Sequence, residues 1–178
     1  MLKNPVLEAK GIWKGYEEPN GSYNWVLKGL NLKLLEGDFI SILGRPATGK
    51  STLLKIMSFL ELPDKGEVYF QGRLVGKSGA EELDQMRRER IWLIENYISA
   101  DQLTASIGGK LSAMLLDEPN GLLKHKPGNS LFKNIGYLNS RGIAVLAATS
   151  DPVAASRAPS IYKLSGGKIV KIAGSTDR

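Results

Sequence analysis

The residues best suited to chemistry form a short loop between a predicted strand and a predicted helix. Residues 44–52 read Gly-Arg-Pro-Ala-Thr-Gly-Lys-Ser-Thr, which fits the pattern G-x-x-x-x-G-K-[ST]. The apolar strand Phe39–Leu43 precedes the loop, and apolar residues at helical spacing follow it through Leu60. A glycine-rich turn that opens a helix offers backbone N–H groups and a positive helix end to an anion. The loop therefore predicts a polyphosphate site, with Lys50 reaching the β- and γ-phosphates and Ser51 holding magnesium.

The loop departs from a glycine-rich ideal at two positions. Pro46 has no N–H to donate. Ala47 would resist a positive φ that glycine accepts, so we expect weaker affinity than an all-glycine loop gives. The predicted nucleotide contacts in the loop are Gly44, Arg45, Pro46, Ala47, Thr48, Gly49, Lys50, Ser51 and Thr52.

A second motif supplies carboxylates. The buried-type strand Ala113–Leu116 runs into Asp117 and Glu118, before Pro119. At the carboxyl end of a strand, Asp117 would contact magnesium directly or through water, and Glu118 would orient or deprotonate the water that attacks a phosphate. The alternative is an acidic pair at an ordinary strand exit, which the upstream phosphate loop disfavours.

The remaining pattern predicts an α/β fold with a mainly parallel sheet and an antiparallel β subdomain. Further strands are expected at Leu7–Trp13, Val26–Leu35, Glu67–Phe70, Arg73–Val75, Ile91–Ile94 and Ile143–Ala148, and helices at Ala80–Arg90, Ser130–Asn139 and after Asp151. A closing hairpin is expected around Ser165-Gly166-Gly167. We expect one domain over residues 1–178, with antiparallel parts at about 5–35 and 66–76 and the phosphate-loop core at about 38–60 and 91–164.

Composition limits the class of protein. The 178 residues are 42% hydrophobic and include no cysteine, which fits one cytoplasmic domain without disulfides. Apolar runs of five or six residues fall far below the ~20 that cross a bilayer. The net charge of +6 is spread along the chain. Its densest cluster, Arg87–Arg90, is expected to be a solvated helix end and not a nucleic-acid patch, and His125 a solvated loop residue.

Almost the whole chain resembles the nucleotide-binding subunit of ABC transporters, closest to the lipoprotein-release and macrolide-export type. The resemblance rests on Val26–Leu32, Glu36–Asp38, the phosphate loop, Leu115–Pro119 and Gly167–Val170, all in family order. It implies ATP and Mg²⁺ as ligands, a homodimer or heterodimer with another such subunit, and a membrane permease as partner at the inner face of the cell membrane. It also implies that Tyr16 stacks on adenine, with Tyr23 as a weaker candidate.

The chain departs from the family at several positions. Asn96 stands at the glutamine that contacts nucleotide and magnesium, Lys124 at a loop aspartate, and Ser150 at the histidine that contacts the γ-phosphate. The signature motif has only a remnant at residues 106–110, since the similar Leu164–Lys168 lies in the closing hairpin. Asp117 follows Lys50 by only 67 positions, so most of the helical subdomain is missing. In the family a permease docks on that subdomain, and we therefore expect this chain to couple poorly, or not at all, to a permease.

The sequence leaves several functions open. The first is an ATP-binding protein that hydrolyses ATP slowly, or only with a partner that supplies the signature motif. The second is a regulatory or vestigial module that binds ATP or ADP without turnover. A third is another phosphate-loop phosphotransferase, although no arginine-rich lid is evident. A fourth is a shortened form of a longer domain.

Overall fold

Two β-sheets make up most of the structure. The computed structural model describes residues 5–95, 110–119 and 129–174, except the side chains of residues 129–134. Its strands are β1 (Pro5–Glu17), β2 (Tyr23–Leu35), β3 (Phe39–Leu43), β4 (Lys65–Phe70), β5 (Arg73–Leu74), β6 (Ile91–Ile94), β7 (Ala113–Asp117), β8 (Ala144–Thr149), β9 (Ser160–Ser165) and β10 (Lys168–Ala173). Its α-helices are α1 (Lys50–Met57), α2 (Ala80–Arg90), α3 (Asn129–Ser140) and α4 (Pro152–Ala155), and a 3-10 helix covers Val75–Lys77.

The first sheet is antiparallel, in the order β2–β1–β4–β5. Buried and exposed residues alternate along its strands because one face of the sheet packs on the core and the other faces solvent. In β2, Leu30, Leu32 and Leu34 are buried, while Asn31 and Lys33 between them are exposed. The predicted antiparallel subdomain is therefore present.

The second sheet has the order β10–β9–β3–β8–β7–β6. Its pairs β3–β8, β3–β9, β7–β8 and β6–β7 are parallel, and only β9–β10 is antiparallel. Two buried clusters flank this sheet, so its inner strands are mostly apolar; all six residues of β8 are buried. Parallel strands bring all their carboxyl ends to one edge of a sheet, and that edge carries the candidate site.

Helix α1 ends earlier than the apolar spacing indicates. Leu60, counted with the helix from the sequence, lies outside it and is 51% exposed, so that extension was wrong. Phe59 explains the stop: it has a left-handed φ of 63° and packs its ring against Phe70, 6.0 Å between centroids. A residue in this conformation cannot continue a right-handed helix.

Other elements shift by a few residues. β1 and β2 are longer than predicted at the turn between them, and β5 stops at Leu74 because Val75 begins the 3-10 helix. The strand expected at Ile143–Ala148 begins and ends one residue later. The predicted bounds of α2 and β6 are confirmed.

Candidate functional site

Three predicted motifs meet at the carboxyl edge of the parallel sheet. The phosphate loop follows β3, the acidic pair ends β7, and Ser150 follows β8. Strand β8 lies between the other two and ties them together. The N–H of Gly44 donates to the Thr149 carbonyl at 3.1 Å, and the N–H of Glu118 donates to the Ala148 carbonyl at 2.8 Å.

Close packing and unusual backbone angles fix the course of the phosphate loop. Gly49 has a φ of 96°, and a Cβ there would lie 2.6 Å from Cγ1 of Val26, so this position requires glycine. Ala47 has a φ of 60°, a conformation that costs an alanine about 1–2 kcal/mol relative to the right-handed region. The Thr48 hydroxyl donates to the Arg45 carbonyl at 2.8 Å across the turn. The loop thus adopts the positive φ that the sequence predicted Ala47 to resist.

Lys50 begins α1 and points back into the loop. Its side chain is 5% exposed, and its Nζ donates to the carbonyls of Gly44 and Arg45, each at 3.0 Å. The same ammonium lies 3.2 Å from Oε1 of Glu118. A buried ammonium group is stable only with such partners. The lysine of the first motif and the glutamate of the second are therefore in direct contact.

Glu118 is held on its other oxygen by the end of β8. Its Oε2 accepts from the Thr149 hydroxyl at 3.1 Å, the Ser150 N–H at 3.0 Å and the Ser150 hydroxyl at 3.3 Å. The backbone of Glu118 has a φ of 45°, rare for a residue with a side chain. The carboxylate is nevertheless 42% exposed and so remains open to water.

Thr149 is a site residue that sequence reasoning missed. It is 1% exposed; its hydroxyl donates to Glu118 and accepts from the Asp151 N–H at 3.1 Å. A polar residue at the end of an otherwise apolar strand, directly before Ser150, was the available signal. The alignment with the family points to Ser150, but it does not point to Thr149, the buried residue beside it.

Asp117 carries an unsatisfied oxygen. Its Oδ1 is buried and has no hydrogen-bond partner among the residues that the structure describes. Buried polar atoms are rarely left in this state unless an ion or water completes them. Ser51, a second predicted magnesium ligand, lies exposed in the first turn of α1, while Asn96, the third, lies outside the described residues. Hard oxygen donors of this kind suit Mg²⁺, which takes few protein ligands and keeps waters and phosphate oxygens.

Tyr16 lies beside the first turn of α1, as an adenine platform would need. Its hydroxyl is 3.3 Å from Oγ1 of Thr52 and 3.0 Å from the carboxylate of Glu61, while the residue remains 40% exposed. Burial of the hydroxyl and the nearby Glu61 carboxylate raise the pKa of the Tyr16 phenol above its usual 10.0. The ring is thus anchored at one end and uncharged at neutral pH.

Tyr23 belongs to a neighbouring network centred on Asp64. The Asp64 carboxylate accepts from the Tyr23 hydroxyl at 2.8 Å, the Gly15 N–H at 2.8 Å and the Lys14 ammonium at 3.1 Å. Desolvation would raise the pKa of Asp64, but these three donors outweigh it and hold the pKa below 3.8. The Tyr23 ring packs edge-on against Trp25. These contacts give Tyr23 a role in the antiparallel sheet.

Several predicted residues lie outside the described ranges. These are Asn96, Lys124, His125 and residues 106–109 of the signature remnant. The similar segment at the chain's end is settled: Leu164 and Ser165 end β9, Gly166 and Gly167 form the turn with φ of 59° and 79°, and Lys168 begins β10. No helix of the described residues is long and apolar enough to cross a membrane.

The sequence profile of the ABC transporter family matches residues 27–173, most of the chain and all of the motifs above. The chain belongs to the ABC transporter family. The resemblance stated from the sequence is confirmed.

Individual relatives agree with this membership. An uncharacterized ABC transporter ATP-binding protein of Methanocaldococcus jannaschii is 35% identical over 132 residues, 74% of this chain and 58% of that protein. The macrolide export ATP-binding/permease protein MacB 1/2 of Paracoccus denitrificans is 25% identical, over 93% of this chain and 33% of the relative. The chain thus spans about three fifths of the first relative and a third of the second.

Another relative is matched over its full length. The lipoprotein-releasing system ATP-binding protein LolD of Paramagnetospirillum magneticum is 27% identical over 227 residues, covering 96% of this chain and all of the relative. The alignment has 227 positions and this chain only 178 residues, so at least 49 of the positions are filled by the relative alone. Among solved structures, the dimeric ATP-binding cassette MJ0796 bound to ADP and Pi superposes with a TM-score of 0.82 at 21% identity, over 96% of this chain and all of that one. The fold is that of these cassettes.

Proposed function

We propose that this chain binds ATP with Mg²⁺ and hydrolyses it slowly, or only when a partner subunit completes the site. The observation that carries the proposal is the contact between the two motifs: Lys50 and Glu118 lie 3.2 Å apart where β3, β7 and β8 end. That edge of an open α/β sheet is where nucleotides bind. Family membership supports ATP as the nucleotide.

Each side chain has a role that its position supports. Lys50 would transfer its hydrogen bonds from the Gly44 and Arg45 carbonyls to phosphate oxygens. Glu118 would orient the attacking water and accept its proton, with Thr149 and Ser150 fixing the carboxylate. Tyr16 would stack on the adenine, because an aromatic face suits a purine ring.

The residues present fit a magnesium ion. Asp117, with its unsatisfied Oδ1, and Ser51 would hold it. When bound, Mg²⁺ supplies positive charge that neutralises the phosphate oxygens. Among the described residues no group of three His, Cys, Asp or Glu side chains could form a protein-only metal cage, and a phosphate-dependent ion needs none.

Two features support slow turnover. Ser150 replaces a longer, chargeable histidine, and its hydroxyl contacts Glu118 at 3.3 Å. The chain also lacks a recognisable signature motif, which in the family covers the nucleotide of the opposite subunit. Groups that contact the transferring phosphate are worth several kcal/mol each, so we expect a homodimer to turn over far more slowly than a heterodimer with a complete partner.

A non-hydrolysing nucleotide-binding module is the second candidate. The contacts of Glu118 favour it: one oxygen pairs with Lys50 and the other with Thr149 and Ser150. A carboxylate held on both oxygens has less freedom to reach an attacking water.

Paired measurements of binding and turnover test both candidates. ATP and ADP affinities would be measured by calorimetry with Mg²⁺, and phosphate release under the same conditions. Lys50→Ala removes a charged donor and should weaken ATP binding about 10- to 150-fold. Glu118→Gln keeps the shape of the side chain and removes the base. It should therefore leave ATP affinity unchanged and lower ATP turnover about 100-fold or more.

Glu81→Gln is the matched control, since Glu81 is an exposed glutamate in the first turn of α2. It should change neither quantity. Turnover that survives Glu118→Gln would refute hydrolysis at this site, and binding without any turnover would favour the module. ATP affinity unchanged in Lys50→Ala would refute the proposed site itself.

Partner choice is part of the proposal. We infer dimerisation with another ABC subunit, and weak coupling to a permease because only 67 positions separate Lys50 from Asp117, too few for most of the helical subdomain on which a permease docks. Stable co-purification with a membrane subunit would contradict the second point.

A further inference from the structure

A cavity of about 790 Å³ lies at the sheet edge opposite the candidate nucleotide site. Part of its lining precedes strands of the second sheet: Arg90 lies before β6, Ser112 before β7 and Arg141 before β8. The strands between the two edges are five or six residues long, so about 16–20 Å separates this cavity from the phosphate loop. Its volume lies within the range of small-molecule sites.

The charge of the cavity is positive. Arg90, Arg141 and Lys110 line it, against the single carboxylate of Glu36. A concave, positively lined surface concentrates anions.

Arg90 is held in place in a way that solvated surface arginines are not. Its Nε donates to the Ser112 hydroxyl at 3.1 Å, one terminal nitrogen donates to Oε1 of Gln71 at 3.2 Å, and its guanidinium lies 5.8 Å from the Phe70 ring centroid. These are neutral partners, and among the described residues no carboxylate lies within ion-pair distance of Arg90. Arg87 and Arg88 on the same helix, in contrast, both pair with Asp84.

A guanidinium has five donors, and two of those of Arg90 are used. The remaining donors keep the planar geometry that binds a carboxylate or phosphate with two parallel hydrogen bonds. Because neutral neighbours already fix the Arg90 side chain, this side chain would lose little conformational entropy when an anion binds.

We propose that this cavity binds a small molecule with two or more negatively charged oxygen groups, such as an organic phosphate or a polycarboxylate. Arg90 is the fixed contact, and Arg141 and Lys110 supply further charge. The site is separate from the nucleotide site, so the proposal holds or fails independently of ATP binding.

The test uses pyrophosphate and citrate as probes in the Lys50→Ala variant, which disables the phosphate loop. Backbone amide NMR signals of Ser112 and Gly142, two cavity residues, report binding. Both signals should shift and saturate with either probe. Adding Arg90→Gln should weaken this binding about tenfold or more. Arg90→Lys keeps the charge without the planar fork and should give an intermediate loss.

Arg88→Gln is the matched control, because it removes the same charge from a 77% exposed arginine two residues away. It should leave probe affinity unchanged. If Arg90→Gln does not fold, Arg141→Gln takes its place with the same expected direction. Shifts confined to the phosphate loop, no saturation, or equal losses in Arg88→Gln and Arg90→Gln would overturn the proposal.

Discussion

Gly49→Ala should destabilise the protein through the one glycine that joins the phosphate loop to α1. Two effects add. A left-handed backbone costs alanine about 1–2 kcal/mol, and Gly49 has a φ of 96°. The new Cβ would also lie 2.6 Å from Cγ1 of Val26 and 3.1 Å from Cδ2 of Leu27, and such overpacking costs about 1–3 kcal/mol. The stiffer unfolded chain returns about 0.4–1 kcal/mol, which leaves a net loss of about 1–4.5 kcal/mol.

Gly72→Ala separates the two effects. Gly72 has a φ of 80°, but a Cβ there meets nothing within 4 Å, so only the backbone cost of about 0–1.5 kcal/mol remains after the unfolded-state correction. Urea unfolding followed by circular dichroism gives both free energies of unfolding. If Gly49→Ala costs no more than Gly72→Ala, the packing argument for the loop is refuted.

Three further predictions concern the site and its surroundings. Ala47→Gly should raise the free energy of unfolding, measured with urea, by up to about 1 kcal/mol, because glycine accepts the φ of 60° without strain; a lower free energy of unfolding would contradict this. Asp117→Asn should raise the free energy of unfolding without Mg²⁺ by about 1 kcal/mol, since it removes the charge from a carboxylate whose buried Oδ1 has no hydrogen-bond partner among the described residues, and should abolish the Mg²⁺ dependence of ATP affinity; an unchanged dependence would refute the metal assignment. The lowered pKa of Asp64 means that its contribution to stability is full above the unfolded-state value near 3.8 and is lost as pH falls through the lower folded-state pKa, so Asp64→Asn should flatten the acid limb of the stability curve; parallel curves for variant and parent would count against it.

Local signals in the sequence were sufficient for most of the fold. Three features of the sequence each indicate one type of element, and the structure contains all three. They are the loop motif that opens α1, the apolar strand before it and the apolar strand that ends at Asp117. The helix boundary failed where the chain turns at Phe59, because a left-handed phenylalanine has no signal in apolar spacing. Its position depends on packing against Phe70, a contact that only the folded chain reveals.

The sequence motifs indicate individual candidate site residues, but not the network that joins them. The motifs identify Lys50, Asp117 and Glu118, yet nothing in them indicates that Lys50 and Glu118 pair at 3.2 Å. That contact depends on the parallel order β3–β8–β7, which places the ends of distant strands side by side. Thr149 was missed for the same reason, since its role exists only through its neighbour across the sheet.

The sheet order also sets when this site can form during synthesis. Strand β3, which precedes the loop, has no sequence neighbour in its own sheet: Phe39 pairs with Val145 and Ile40 with Ser160, partners 106 and 120 residues later. Contacts over such distances carry a large loop-closure cost and make folding slow. During synthesis on the ribosome, the phosphate loop therefore emerges long before β8 and β9, the two strands that pair with β3. Until the last third of the chain is released, β3 lacks both of its partner strands, and unpaired strand edges of this kind are prone to aggregation.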